Sequence, residues 1–443
     1  MARDVPGFAF RHVRVRVLPM NRKTELRAPS SPGQPPLRIV MMGIRGVPAA
    51  YGGFETAVEE IGRRLVERGH DVTVYCRNSR NPQRNPQRNR HLGMSLVHLP
   101  ALRLKVAETL SHTALATIHT VVHRKPDVAF VFNAANAPFL PVLRRRQIPT
   151  ALHVDGLEWK RDKWGDAGRH YYRWAEGVAV READALIADA DGISDYFRRE
   201  FNVTTEHLSY GAPILRNIPS ARLAEFGLEA GAFHLLVARF EPENHVDVIV
   251  DGYHRSSCRL PLVVVGSAPY GSSYIARVEG LARSDSRIHM LGGVWDQELL
   301  DQLYAHALTY VHGHSVGGTN PSLLRAMGAA TAVIAWDVNF NRDVTGPAGL
   351  YFADAESLTS LLQEVEDNPH DMTDVGTALQ CRAESRYKWE SVVDGYEALA
   401  RRLAGGYSTH GDGHPRAADS AWSVNVPARA GVFASMKPKR SAI

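Results

Sequence analysis

Gly317-Gly318-Thr319-Asn320-Pro321-Ser322-Leu323-Leu324-Arg325 follows an apolar run, Leu308 to Val311, and leads into Leu323, Leu324 and Met327. That order reads as strand, glycine turn, helix. Asn320 suits an N-cap, and Pro321 suits the first helical position, where no amide hydrogen is needed. The amides freed in such a turn, with the positive end of the helix dipole, make a site for a phosphate. A Gly-Gly turn before a capped helix also occurs without any ligand. The reading therefore leans on a second turn of the same kind.

The second turn lies in the other half of the chain. Leu37 to Met42 is a short apolar strand, followed by Gly43, Gly46 and the segment AAYGGFET, which contains Gly52 and Gly53. Thr56 and Glu59 have the spacing of a capping box and predict a helix opening there, with Val58, Ile61 and Leu65 on one face. Gly69 closes that helix and DVTVYC is the next strand. This is a βαβ unit with its glycine loop at the carboxyl end of the first strand, where doubly wound sheets bind ligands.

The alternation continues along 443 residues, enough for two domains with separate cores. Strands are expected at Asp127 to Phe132, Thr150 to Val154 and Ala185 to Ala188. After Gly211-Ala212-Pro213 the pattern restarts at 234–240, 262–266, 288–291, 308–311 and 332–335. These patterns predict a flexible extension over 1–36, a first α/β domain over 37–212 and a second over 213–387. A helix over 388–403 carries Trp389, Val392, Val393, Tyr396 and Leu399, and a disordered tail is expected over 404–443.

Composition narrows the function classes. Hydrophobic residues make up 44% and charged residues 22%, as in an ordinary globular protein. No apolar run approaches the length of a transmembrane helix, and the start of the chain lacks the apolar stretch of a signal peptide. Cys76, Cys258 and Cys381 have no metal-ligand spacing and read as reduced thiols, predicting a cytoplasmic location. Residues 1–212 hold 32 Lys and Arg against 21 Asp and Glu, whereas the remainder holds 20 against 26. The basic first half, with arginines at 77–90 and Arg144 to Arg146, suits peripheral contact with an anionic membrane at its inner face. No nucleic-acid-binding signature accompanies the charge.

Candidate chemistry sits after the strands. Arg239 ends the strand 234–240, where a guanidinium can neutralise a diphosphate. Gly292, Gly293 and Val294 follow another strand, where backbone groups can read a nucleobase. In the first half, His153, Asp155 and Glu158 follow a strand and are expected to face the cleft. There they would orient sugar hydroxyls or support a developing positive charge. Trp159 and Trp164 either pack or offer a flat face to a sugar ring.

The segments GIRGVPAAYGGFETAVEEIGRRLVERGHDVTVYCR, LPALRLKVAETLSH, VDGLEWKRDKWG and HGHSVGGTNPSLLRAM resemble retaining glycosyltransferases of family 4. The nearest group is the rhamnosyltransferase-like one whose amino-terminal domain carries YGGFET. The resemblance covers about 37–403. It implies a GT-B fold, with two Rossmann-like doubly wound domains facing a central cleft and a last helix crossing back to the first. It also implies a nucleoside-diphosphate-sugar donor on the second domain, a glycan or lipid-linked glycan acceptor on the first, and neither a metal nor a further cofactor.

By position, the resemblance assigns Gly52 and Gly53 to the loop facing donor phosphate and acceptor. His153 matches a histidine near the transferred sugar, and Arg239 the arginine on the diphosphate. Asn244 stands where the wider family has lysine. The amides and side chains of Gly317, Gly318, Thr319, Asn320 and Ser322, with Gly293, complete the expected donor site. The wider family has two glutamates eight positions apart, and here those positions are Gly317 and Arg325. Glutamate is expected at the second, on the ribose hydroxyls, and arginine cannot accept their hydrogen bonds. The leading expectation is transfer of a sugar such as rhamnose during cell-surface polysaccharide synthesis. Arg325 motivates an alternative, a catalytically degenerate sugar-nucleotide-binding protein; a sugar-nucleotide epimerase on the same architecture is the third.

Overall fold

The computed structural model describes residues 34–49, 52–78, 89–102, 107–123, 125–154, 156–161, 164–266 and 273–410. Asp155, Arg80, Arg84, Arg88 and most of both expected tails lie outside the described residues.

The first sheet contains β1 (Arg38–Met42), β2 (Asp71–Arg77), β3 (Arg90–His91), β4 (Met94–Leu99), β5 (Val128–Phe132), β6 (Thr150–His153), β7 (Ala185–Ala188) and β8 (Glu206–His207). Their order is β3-β4-β2-β1-β5-β6-β7-β8, and only the β3–β4 pair is antiparallel. Strand β5, VAFVF, is buried throughout, the continuous apolar run expected of a parallel strand covered on both faces. Alternate residues of β1 separate the two cores. Ile39 and Met41 face α1 (Gly53–Glu67) through Val58, Ile61 and Leu65. Val40 and Met42 face the layer of α2 (Ala107–Val122), α3 (Leu140–Arg145), α4 (Asp166–Glu182) and α5 (Asp191–Phe201).

The second sheet contains β9 (His234–Val237), β10 (Leu262–Val265), β11 (Ile288–Gly292), β12 (Thr309–His312), β13 (Ala332–Trp336) and β14 (Leu350–Phe352). Its order is β11-β10-β9-β12-β13-β14, parallel throughout. The helices of this half are α6 (Val246–Arg255), α7 (Ser273–Arg283), α8 (Gln297–His306), α9 (Pro321–Gly328), α10 (Asn339–Thr345), α11 (Ala355–Asp367) and α12 (Pro369–Arg386). In both sheets the winding reverses beside the first strand, β1 or β9. The carboxyl ends there are the switch points where doubly wound sheets hold ligands.

Helix α13 (Trp389–Ala404) leaves the second half and packs on the first. Tyr396 lies edge-on to Phe130 at 5.2 Å. Buried Glu397 accepts from Arg68 at 2.9 Å and from Arg401 at 2.8 Å, and lies 3.3 Å from His70. Residues 405–410 were expected in the tail, yet they continue along the first sheet. The Thr409 amide donates to the Asp184 carbonyl at 2.8 Å, and the Tyr407 hydroxyl donates to Glu206 at 3.0 Å.

One local expectation fails. The first-domain helix opens at Gly53 with Gly52 as N-cap and no side-chain cap, so Thr56 and Glu59 form no capping box. Glu59 instead accepts the Ala49 amide at 2.7 Å and a bond from His91 at 3.0 Å, bracing the preceding loop. The β3–β4 hairpin was also missed. Its two-residue turn, Leu92-Gly93, has both φ angles positive, the backbone that matches strand twist in tight hairpins.

Candidate active site

The carboxyl ends of the two sheets meet at a seam, and both glycine turns lie in it. Asn320 caps α9 as expected: its Oδ1 accepts the Ser322 amide at 3.0 Å and the Ser322 hydroxyl at 2.7 Å. The Tyr310 hydroxyl donates to Ser322 Oγ at 2.9 Å, tying the helix start to β12. The buried Thr319 hydroxyl donates across the seam to the Asp189 carbonyl at 2.6 Å.

Contact at the seam is so close that only glycine fits. A Cβ on Gly156 would stand 2.5 Å from the Gly317 Cα, and one on Gly318 would stand 2.2 Å from Asp189 Oδ1. A Cβ on Gly53 would stand 3.1 Å from Pro321 Cγ, so the amino ends of α1 and α9 face each other. Two helix amino ends converging on one place attract an anion more strongly than either alone.

His153 ends β6 and is buried between Phe54, Phe132 and Tyr210, at ring-centre distances of 5.0, 5.7 and 6.0 Å. Its Nδ1–H donates to the Val154 carbonyl at 3.1 Å. Burial pushes its pKa down to about 4, so the ring is neutral at pH 7. Glu158 is also buried. One of its carboxylate oxygens pairs with Arg161 and the other accepts the Trp164 indole N–H at 3.2 Å. Arg161 in turn reaches across the seam to Glu243 Oε1 at 3.6 Å. Burial, with Glu241 beside it, raises the pKa of Glu243, and Arg161 opposes that rise.

On the second sheet, Arg239 is half-buried with Nη1 3.7 Å from Glu241. Asn244 is buried, and its amide donates to the Arg239 carbonyl at 2.8 Å, setting the backbone that presents this arginine. His312 and His314 stack at 4.4 Å beside these groups, and burial drives both pKa values down, that of His312 to about 3. Gly293 lies against the exposed Trp295 ring. The Arg325 guanidinium pairs with Asp301 on α8.

The structure thus gathers Gly53, His153, Glu158, Arg239, Asn244, Gly317, Gly318, Thr319, Asn320 and Ser322 at or beside one seam. Sequence reasoning passed over Arg161, Glu243, Asp189, His312 and His314. The i, i+3 spacing of Glu158 and Arg161 was a readable signal for one of them, whereas the Asp189 and Glu243 contacts cross between domains. Among the described residues one cluster has metal-ligand chemistry: His234, Cys258 and Glu366. It lies at the opposite, amino ends of the strands. Its groups already hold one another and their surroundings, with His234 on Thr309 at 2.7 Å and on Glu366 at 3.2 Å.

Two Rossmann-like domains joined by a returning helix define a GT-B architecture. Residues 37–213 match a domain of unknown function, DUF1972, and residues 233–368 match the family described as Glycosyl transferases group 1. The chain is 24% identical over 404 residues to alpha-maltose-1-phosphate synthase of Mycolicibacterium smegmatis, covering 83% of this chain and 100% of that one. It is 23% identical over 230 residues to O-antigen chain mannosyltransferase B of Escherichia coli, covering 47% of this chain and 60% of that one. Among solved structures, sucrose-phosphate synthase from Thermosynechococcus elongatus superposes with a TM-score of 0.74 at 21% identity, over 83% of this chain and 99% of that one. Anabaena HepE in complex with UDP-glucose superposes at 0.66 and 13% identity, over 82% and 100%. The chain therefore has a GT-B fold, and residues 233–368 of its second domain are similar to the group 1 glycosyl transferases.

No helix among the described residues is long and apolar enough to cross a membrane.

Proposed function

We propose that this protein is a retaining, metal-independent transferase of family 4. It moves a sugar such as rhamnose from a nucleoside diphosphate to a glycan or lipid-linked glycan acceptor in polysaccharide synthesis, at the cytoplasmic face of the membrane. The observation that carries the reading is the convergence of the α1 and α9 amino ends, lined by Gly53, Gly317 and Gly318. Amides there, with Arg239, would take the charge that develops on the leaving diphosphate. The match to the group 1 glycosyl transferases, the relative named a mannosyltransferase and the HepE complex with UDP-glucose support the nucleotide-sugar part of the reading.

His153 would act as a neutral hydrogen-bonding group near the transferred sugar rather than as a charged acid, because burial keeps it unprotonated. Asp155 would hold the sugar together with His153, and Glu158 would hold the surrounding turn through Arg161. The test is release of nucleoside diphosphate from a panel of sugar nucleotides, with and without glycan acceptors, together with the anomeric configuration of the product. No binding and no turnover of any donor overturns the reading, and an isomerised donor without acceptor identifies an epimerase.

A degenerate, binding-only protein is the second reading, and the Arg325–Asp301 pair favours it. A guanidinium committed to Asp301 leaves position 325 unable to accept from ribose hydroxyls. Activity that appears only in Arg325→Glu decides for degeneracy, and native activity that falls in that variant decides against it.

A further inference from the structure

Five of the eight large hydrophobic residues that stand exposed among the described residues lie on one layer of the first domain. On α2, Leu115, Ile118 and Val122 are 38%, 54% and 69% exposed and share one face by their i, i+3, i+7 spacing. Val142 on α3 and Trp174 on α4 are 41% and 55% exposed. The opposite face of α2 is also filled, with Thr113, Ala116, Thr117 and Thr120 buried against the sheet. The outer stripe therefore does not serve the core, and an apolar stripe on the face turned from the sheet calls for a second apolar neighbour.

Basic charge borders this stripe. Arg146 donates to the Val121 carbonyl at 2.8 Å, placing the Arg144–Arg146 run at the carboxyl end of α2. Arg144 bonds the Arg181 carbonyl at 3.3 Å and Glu182 at 3.4 Å, joining α3 to the end of α4. Arg145, Arg146, Lys125 and Arg181 are exposed around it. The only carboxylate on α2 is Glu108, at its far end beside Arg77. Arg77, expected in an exposed basic patch, is instead turned inward there, with its pKa lowered by burial.

We propose that the α2–α3–α4 face is a membrane-docking surface that lays Leu115, Ile118, Val122, Val142 and Trp174 into a lipid bilayer carrying anionic headgroups. Charge complementarity selects this occupant: an apolar stripe rimmed by arginines matches an acyl boundary beneath anionic phosphates, and Trp174 suits the interfacial level. The inference rests on this face alone and stands whether or not the transferase reading holds.

The full-length chain is sedimented with vesicles of phosphatidylcholine alone or mixed with phosphatidylglycerol. Binding to the mixed vesicles is expected, weakened by salt. The triple variant Leu115→Ser, Ile118→Ser, Val122→Ser should bind at least about tenfold less, since each lost side chain removes apolar burial. Arg145→Glu with Arg146→Glu should cost about fivefold per charge. Melting temperature and donor binding, read on the same samples, should stay at native values in all variants. Native protein that ignores anionic vesicles overturns the proposal, as does a triple variant that binds like native. A native dimer that the triple variant converts to monomer also overturns it, because the stripe is then an interface between copies. Loss of donor binding with vesicle binding intact bears on the transferase reading alone.

Discussion

The cap that opens α9 is made by its own neighbouring residues, whereas the loop before α1 is held by side chains from the helix that follows it. Asn320 bonds Ser322, two positions away, so the α9 cap itself is specified within a tripeptide. In the first domain, Glu55 accepts the Arg45 amide at 3.0 Å and Glu59 accepts the Ala49 amide at 2.7 Å, each reaching ten residues back. Two turns with similar glycine content and a shared position at a switch point are thus stabilised at different ranges. Local chemistry makes one, and packing of a distant helix turn makes the other.

The sharpest break should come where the two meet. Gly318→Ala drives a Cβ into Asp189 Oδ1, 2.2 Å away, and Gly156→Ala drives one into Gly317. Either should destabilise the seam by about 1–3 kcal/mol and lower kcat/KM for donor more than about a hundredfold, read by steady-state kinetics and thermal melting. Next is Glu59→Ala, which strips the first loop of its brace. A loss of about 1–2 kcal/mol is expected, with a raised KM for acceptor, because the Ala49 amide loses its partner.

Acid should separate the seam from the rest of the fold. The folded pKa of His153 lies near 4, below its usual 6.5, because burial disfavours the charged ring. The unfolded chain therefore binds more protons between those values, so this stabilisation is complete above pH 6.5 and is lost as pH falls toward 4. Glu366, under the opposite ends of the strands, has a pKa brought down to about 2: its bonds to His234 and to two backbone amides outweigh desolvation. Its share is present above about pH 4.5 and fails only as pH drops toward 2. Melting curves across pH should accordingly show two descents, and His153→Phe should shrink the upper one, to which buried His312 and His314 also contribute, while leaving the lower one in place. The smallest effect belongs to Asn320→Ala, about 1 kcal/mol for one cap, measured by denaturant unfolding. If Asn320→Ala cost more than Glu59→Ala, the contrast between the turns would be wrong.

Much of the fold was legible because parallel strands covered on both faces leave continuous apolar runs, as in VAFVF and LVVV. The hairpin at Leu92-Gly93 was missed because its strands are short and polar, although Gly93 marked the turn. The α9 turn and the positions of Arg239 and His153 at strand ends were readable for the same reason: each depends on the order strand, turn, helix. Glu158 was assigned to the cleft, and the structure shows its carboxylate spent on Arg161 and Trp164. Nothing in a linear chain reveals that Arg161 will meet Glu243, because the partners are brought together by the docking of two domains.

By itself the sequence determined the two βα alternations, the capped glycine turn and the odd arginine at position 325, since each follows from neighbours within a few residues. Tertiary structure alone decided that Gly156 and Gly317 meet, that Glu55 braces a loop, that Glu59 does the same rather than close a capping box, and that Arg325 pairs with Asp301. It also decided that Leu115, Ile118 and Val122 face outward. The physical reason is range: caps and strand patterns are satisfied by local hydrogen bonds, whereas burial and ion pairing depend on which surfaces the fold brings together.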